Sequence, residues 1–304
     1  MPLLARRGSA GLRGTAHAGR PVGKVVGMQR SPKHTLNNGV TIDALGFGVY
    51  KVPAEDCANL VSTAIDAGYR TVDTAALYAN EAGVGAAVRD AVAAGTPREE
   101  LFVTSKVWNT EQGYDSTLAA FDASMEQLGL DYLDMYLIHW PCPARKLFIP
   151  TYKALETLYQ EGRVRAIGVS NFEEPHLQQL LGATSVVPAV NQIELHPHLT
   201  QTHLRRVHAE LGIATQAWSP LARGIILGDP VLAGLAASMG RSVAQIVLRW
   251  HVQSGHLVIP KASSAARIAE NLAVFDFALS DAQMSAIDAL NTDHRAGSHP
   301  NEVN

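Results

Sequence analysis

Charge is sparse in this 304-residue chain: Asp, Glu, Lys and Arg make up 17% of it, and the net charge is −3. That balance offers no basic surplus of the kind that binds nucleic acid. Cysteine is scarcer still. Cys57 and Cys142 stand far apart, which is neither a disulfide framework nor a zinc spacing, and suits a reducing cytoplasm. No apolar run reaches the roughly 18 residues of a membrane span. The glycine fingerprints of dinucleotide and mononucleotide loops are missing too. Gly46/Gly48 and Gly83/Gly85 are isolated pairs that suit turns and packing, so no Rossmann domain is expected.

What is present begins with a basic leader. Residues 1–27 carry Arg6, Arg7, Arg13, Arg20 and Lys24 without one acid, and read as a disordered leader that lacks a secretory h-region. Met28 opens the segment that looks structured and is the expected start of the domain.

From residue 34 onward, strand-like and helix-like segments alternate. The hairpin HTLNNGVTID comes first, with Asn38-Gly39 as its turn signal. Eight strand-then-helix units follow, with strands ALGFGV, RTVDT, LFVTSKV, YLDMYLIH, VRAIGVS, VVPAVNQIE, IATQAWS and LVIP. These are continuous apolar runs, as in a parallel sheet covered on both faces. Helical stretches end at Gly68, Gly129, Gly162 and Gly212, as C-terminal caps require. No linker divides the chain. The pattern predicts one α/β domain over 28–304, a (β/α)8 TIM barrel with an N-terminal hairpin plug and two extra helical segments, SAARIAENLA and SDAQMSAIDAL.

Barrel active sites lie at the C-terminal strand ends. Asp73, Lys106 and His139 end the second, third and fourth predicted strands, and Tyr78 follows the second. Taken singly, each has a plainer explanation: a packed aromatic, a helix cap, a core histidine. Together they make a proton-donating site for carbonyl reduction. Tyr78 is the proton donor, Lys106 lowers its pKa, Asp73 anchors Lys106, and a neutral His139 orients the substrate oxygen.

At these residues the chain resembles the aldo-keto reductase family, from about residue 34 to the C-terminus. GYRTVDTAALYANEAGVG, YLDMYLIHWP and IPKASSAARIAENLAVFDF match its three signatures, and AIGVSNF, VNQIELHP and AWSPLARG match further segments. FGVYKV and the short tail are most like bacterial members similar to 2,5-diketo-D-gluconate reductases. The resemblance implies the tetrad Asp73, Tyr78, Lys106 and His139, an NADP(H) cofactor, a small carbonyl substrate and a cytoplasmic monomer without membrane or nucleic-acid partners. It places the nicotinamide carboxamide on Ser170, Asn171 and Gln192, the nicotinamide against Trp218, and further cofactor contacts on Gly48, Val49, Ser219 and Leu221. Ser170-Asn171 could instead begin the next helix. Lys261 and Arg267 suit a 2′-phosphate, with Ser263 beside them and Glu270 and Asn271 for the adenine. Ala262 stands where the family usually has Ser, which weakens the expected NADPH preference unless Ser263 or Ser264 substitutes.

Tyr50, Trp108, Asn109 and Trp140, with His139, should line the substrate mouth, and residues 292–304 should fold over it. Arg145 and Lys146 follow the fourth strand, where they are either solvated or attract a carboxylate. Glu194, His196, His198 and His203 alternate as strand ligands to a metal would, but the Glu-Leu-His-Pro among them belongs to a family segment, so no metal is expected. Candidate substrates are diketo-sugar acids, 2-oxoaldehydes such as methylglyoxal, and xenobiotic ketones. A Schiff-base lyase using Lys106 as nucleophile and a non-catalytic cofactor-binding redox sensor remain as rival readings.

Overall fold

The computed structural model describes residues 30–304, so the expected leader and the start at Met28 lie outside the described residues. Strands β1 (Lys33–Thr35) and β2 (Thr41–Asp43) form the antiparallel hairpin. Its loop is closed by Leu36 N donating to Val40 O at 2.8 Å, and Gly39 takes the left-handed φ of 84° that glycine tolerates best.

The barrel strands are β3 (Phe47–Gly48), β4 (Thr71–Asp73), β5 (Phe102–Val107), β6 (Leu133–Ile138), β7 (Val164–Ser170), β8 (Val190–Glu194), β9 (Ala214–Trp218) and β10 (Leu257–Val258). They lie side by side in chain order, each parallel to the next. A parallel bridge from Leu45 to Val258 closes the ring, with Gly46 N donating to Val258 O at 2.8 Å. Closure leaves no free sheet edge. Both faces of these strands are largely buried, with apolar residues interspersed with buried polar ones such as Thr104, Asn191 and Gln216.

The hairpin plugs the floor. Leu36 and Ile42 join Phe102, Met135, Leu137 and Val190 in a cluster at the N-terminal strand ends. Asn37 and Asn38 pin it there, donating to the carbonyls of Pro188 and Arg165 at 3.0 Å each. With the floor sealed, the C-terminal mouth is the open end.

The helices are α1 (Ala54–Ala67), α2 (Glu81–Ala93), α3 (Tyr114–Leu128), α4 (Phe148–Gln160), α5 (Glu174–Leu181), α6 (Thr202–Leu211), α7 (Pro230–Met239), α8 (Val243–Gln253), α9 (Ala265–Leu272) and α10 (Asp281–Asp288). The extra segments are α9 and α10, as expected. Helix α7 was not in the expected series. Its small apolar residues carry no clear helical stripe, and the signal lies at its start: Asp229 accepts from Val231 N and Leu232 N at 2.9 and 3.1 Å, with Pro230 in the first turn.

Candidate active site

The tetrad converges at the mouth. Asp73 ends β4, and Lys106 is the penultimate residue of β5. His139 is one residue beyond β6, and Tyr78 closes a 3-10 turn after β4. Asn80 holds that turn in place: its Nδ2 donates to Val49 O and Val52 O, and its Oδ1 accepts from Thr74 Oγ1 at 2.8 Å. Lys106 is fully buried, and its ammonium donates to Asp73 Oδ2 at 2.7 Å, Thr74 O at 2.9 Å and Tyr78 Oη at 3.5 Å. The Tyr78 and His139 rings stand edge to face at 5.7 Å.

Electrostatics revise one expected role. The net shift of the Tyr78 phenol is upward, not the lowering expected from Lys106. Burial raises the phenol well above its ordinary value, and the charge of Asp73 raises it further. Burial is the larger cause, and Asp73, which lies 2.7 Å from the Lys106 ammonium against 3.5 Å for Tyr78 Oη, offsets the pull of that ammonium on the phenol. Tyr78 therefore keeps its proton at neutral pH. Lys106 is itself lowered by burial, against the raising effect of Asp73. His139 is held well below its usual range by burial and by Lys106, so it is the neutral imidazole expected from the sequence.

The next three strand ends carry amides. Ser170 Oγ donates to Gln192 O at 2.8 Å, and Asn171 Nδ2 donates to His139 O at 2.9 Å and to Ser170 Oγ at 3.0 Å. Trp218 Nε1 donates to Asn171 Oδ1 at 2.8 Å. The helix-cap alternative for Ser170-Asn171 fails, because Glu173 caps α5 instead. Gln192 Nε2 donates to Asp73 Oδ1, tying the amide row to the tetrad.

The rim aromatics pack around the tetrad and Trp218. Tyr50 packs on Tyr78 at 5.0 Å between ring centres, Trp108 on His139 at 5.1 Å, and Trp140 on Trp218 at 6.4 Å. Asn109 is buried with its Oδ1 unpartnered among the described residues.

Residues 44–292 match the aldo/keto reductase family. The chain belongs to that family. Among its relatives, an aldo-keto reductase of Mycolicibacterium smegmatis is 53% identical, over 90% of this chain and 98% of its own. A glyoxal reductase of Bacillus subtilis is 50% identical, over 91% of this chain and 99% of its own. The solved apo structure of Gox0644 superposes with a TM-score of 0.87 at 45% identity, over 91% of this chain and 100% of its own. A mutant of Gox0644 solved with NADPH superposes at 0.86 with 44% identity, over the same shares of the two chains.

In this aldo/keto reductase the other expected cofactor residues lie at three places. Lys261, Ser263 and Arg267 are exposed at the start of α9, and neither cation has an acidic partner among the described residues. Ala262 packs into the core, Ser263 is exposed, and Ser264 Oγ accepts from Arg267 N at the start of α9. Glu270 is half-buried and Asn271 buried. Ser219 and Leu221 lie half-buried after β9. Gly48 and Val49 are buried and serve closure: a Cβ on Gly48 would meet Ile259 O at 3.0 Å, and Val49 O accepts from Asn80.

Arg145 donates to Asn109 O, bridging two rim loops, while Lys146 is exposed. The histidine-acid cluster of the β8 region disperses. Glu194 meets His196 at 3.1 Å, His198 meets Asp229 at 3.3 Å, and His203 meets Glu174 at 2.6 Å.

Two residues, Asn80 and Gln216, escaped the sequence reading, and the role of a third, Glu194, was missed. Asn80 could have been noticed as a polar residue just before α2. Gln216 could have been noticed as a polar residue inside an apolar strand. Glu194 anchors the tail, accepting from Ala296 N at 2.6 Å and Gly297 N at 3.1 Å. Its role had no local signal. Glu173 holds the tail further along, through Arg295, His299 and Asn301.

Proposed function

We propose that this aldo/keto reductase uses NADPH to reduce small carbonyl compounds to alcohols, with Tyr78 as proton donor. The observation that carries the reading is the buried Asp73–Lys106 pair, 2.7 Å apart, set beneath a Tyr78 that stays protonated beside a neutral His139. The donor set fits a nicotinamide: the amides of Asn171 and Gln192 and the hydroxyl of Ser170 suit its carboxamide, and the Trp218 ring suits its face. When bound, the cofactor supplies the hydride for the carbonyl carbon. His139 orients the carbonyl oxygen, and Tyr78 Oη gives its proton to that oxygen as negative charge develops. Lys106 then stabilises the phenolate left behind, and Asp73 keeps Lys106 in place. The aromatic wall of Tyr50, Trp108 and Trp140 excludes water from the reaction.

Lys261 and Arg267, free of acidic partners among the described residues, support NADPH over NADH. The likeness to a glyoxal reductase supports 2-oxoaldehydes such as glyoxal and methylglyoxal as first candidate substrates, with 2,5-diketo-D-gluconate as the alternative. A Schiff-base role for Lys106 is disfavoured, because its three ammonium hydrogens are directed to Asp73, Thr74 and Tyr78 and its surface is fully buried.

The test is Tyr78→Phe. Carbonyl-dependent NADPH oxidation should fall on the order of a thousandfold, while NADPH affinity measured by fluorescence stays within about twofold. Turnover at the wild-type rate would sink Tyr78 as the acid.

A further inference from the structure

Gln192 donates from one nitrogen to two acceptors, Asp73 Oδ1 and Gln216 Oε1, both at 2.8 Å. The amide orientation is forced. A carboxylate oxygen only accepts, so the atom facing Asp73 is Nε2. An amide nitrogen carries two hydrogens, and the second points to Gln216. Gln192 and Gln216 are register partners on β8 and β9, 2% and 1% exposed, so solvent does not compete for these bonds. With both hydrogens used, the group Gln192 has left is its Oε1, which has no protein partner among the described residues.

We infer that Gln216 is a positioning residue for the cofactor: it locks the Gln192 amide so that only an acceptor faces the nicotinamide carboxamide. The inference rests on the proposed nicotinamide reading of this site. An acceptor selects the –NH2 end of the carboxamide and so sets which way that group is turned. Asp73 alone supplies one bond, about which the Gln192 side chain can pivot. Gln216 supplies the second bond, which removes the pivot. The same bond keeps Gln192 against Asp73, so Gln216 also steadies the carboxylate that holds Lys106.

The experiment compares three ligands on wild-type protein and on Gln216→Leu, which deletes the acceptor at similar volume. The ligands are NADPH, its reduced 3-acetylpyridine analogue, in which a methyl replaces the carboxamide –NH2, and 2′-phospho-ADP-ribose, which has no nicotinamide. Wild type should bind the acetylpyridine analogue about tenfold more weakly than NADPH, the loss of one well-held hydrogen bond. Gln216→Leu should bind NADPH about tenfold more weakly, bind 2′-phospho-ADP-ribose within about twofold of wild type, and lose most of its discrimination between NADPH and the analogue. A merely structural role would weaken all three ligands alike. Equal wild-type affinity for NADPH and the analogue overturns the inference, and needs no variant to fold. So does a Gln216→Leu protein with the wild-type ratio. If wild type binds neither NADPH nor 2′-phospho-ADP-ribose, the cofactor reading itself fails.

Discussion

Gly297 lies against the Trp218 indole so closely that a Cβ on it would fall 2.5 Å from Cη2 of the ring. The tail backbone is therefore part of the wall that sets the indole, and Glu194 holds that stretch of tail in place. Gly297→Ala must displace the ring or the tail, and overpacking of this kind costs about 1–3 kcal/mol. We expect NADPH affinity to fall about 5- to 150-fold, with altered intrinsic fluorescence. Unchanged affinity and emission would show that the tail does not set Trp218.

Two titrating groups at the mouth, Tyr78 and His139, bear directly on the pH profile of reduction. Tyr78 is raised, so the phenol proton needed for reduction is present across the neutral range and lost only on the alkaline side. His139 is lowered, so the imidazole is neutral throughout that range and gains a proton only in acid. The kcat/KM for carbonyl reduction should then be flat from about pH 6.5 to about pH 9. The reverse oxidation, which needs the phenolate, should rise with pH. An inflection in reduction near the ordinary imidazole value would contradict a buried neutral His139.

Lys261 and Arg267 present two exposed cations at the start of α9. A hydrogen bond to a charged group contributes about 1.5–3 kcal/mol. Replacing either cation by Ala should raise the KM for NADPH by roughly 10- to 100-fold and leave the KM for NADH nearly unchanged. Parallel increases for both cofactors would remove these residues from phosphate recognition.

Two glycines separate packing from propensity. A Cβ on Gly85 would sit 1.8 Å from Leu128 O, where α2 meets the end of α3. Gly234, inside α7, has nothing within 4 Å of its Cβ position. Gly85→Ala should destabilise the fold by roughly 3 kcal/mol or more, because backbone must move. Gly234→Ala should stabilise it by about 0.5–1 kcal/mol. Denaturant melts of both variants check the contrast.

The order of strands and helices was legible because each barrel strand is a short apolar run and most helices end at a marked cap. Helix α7 was not, because its evenly small apolar residues hide the helical period. Asp73, Tyr78, Lys106 and His139 stood out because a barrel brings consecutive strand ends to one mouth. Their mutual electrostatics did not follow. Counting Lys106 alone beside Tyr78 predicts a lowered phenol, whereas burial of the ring, with Asp73 close to Lys106, leaves the phenol raised. The roles of Glu194 and Gln216 were hidden for the same reason, since each depends on a neighbour that no local pattern names.

The sequence by itself determined the barrel, the residue types at its mouth and the family, because periodicity, caps and motif spacing are local properties of the chain. Only the tertiary structure decided which charges cancel, which way the Gln192 amide is turned and what the tail presses upon. Those outcomes depend on groups brought together by closure of the ring, such as Gln192 and Asp73, 119 positions apart and joined by a 2.8 Å hydrogen bond.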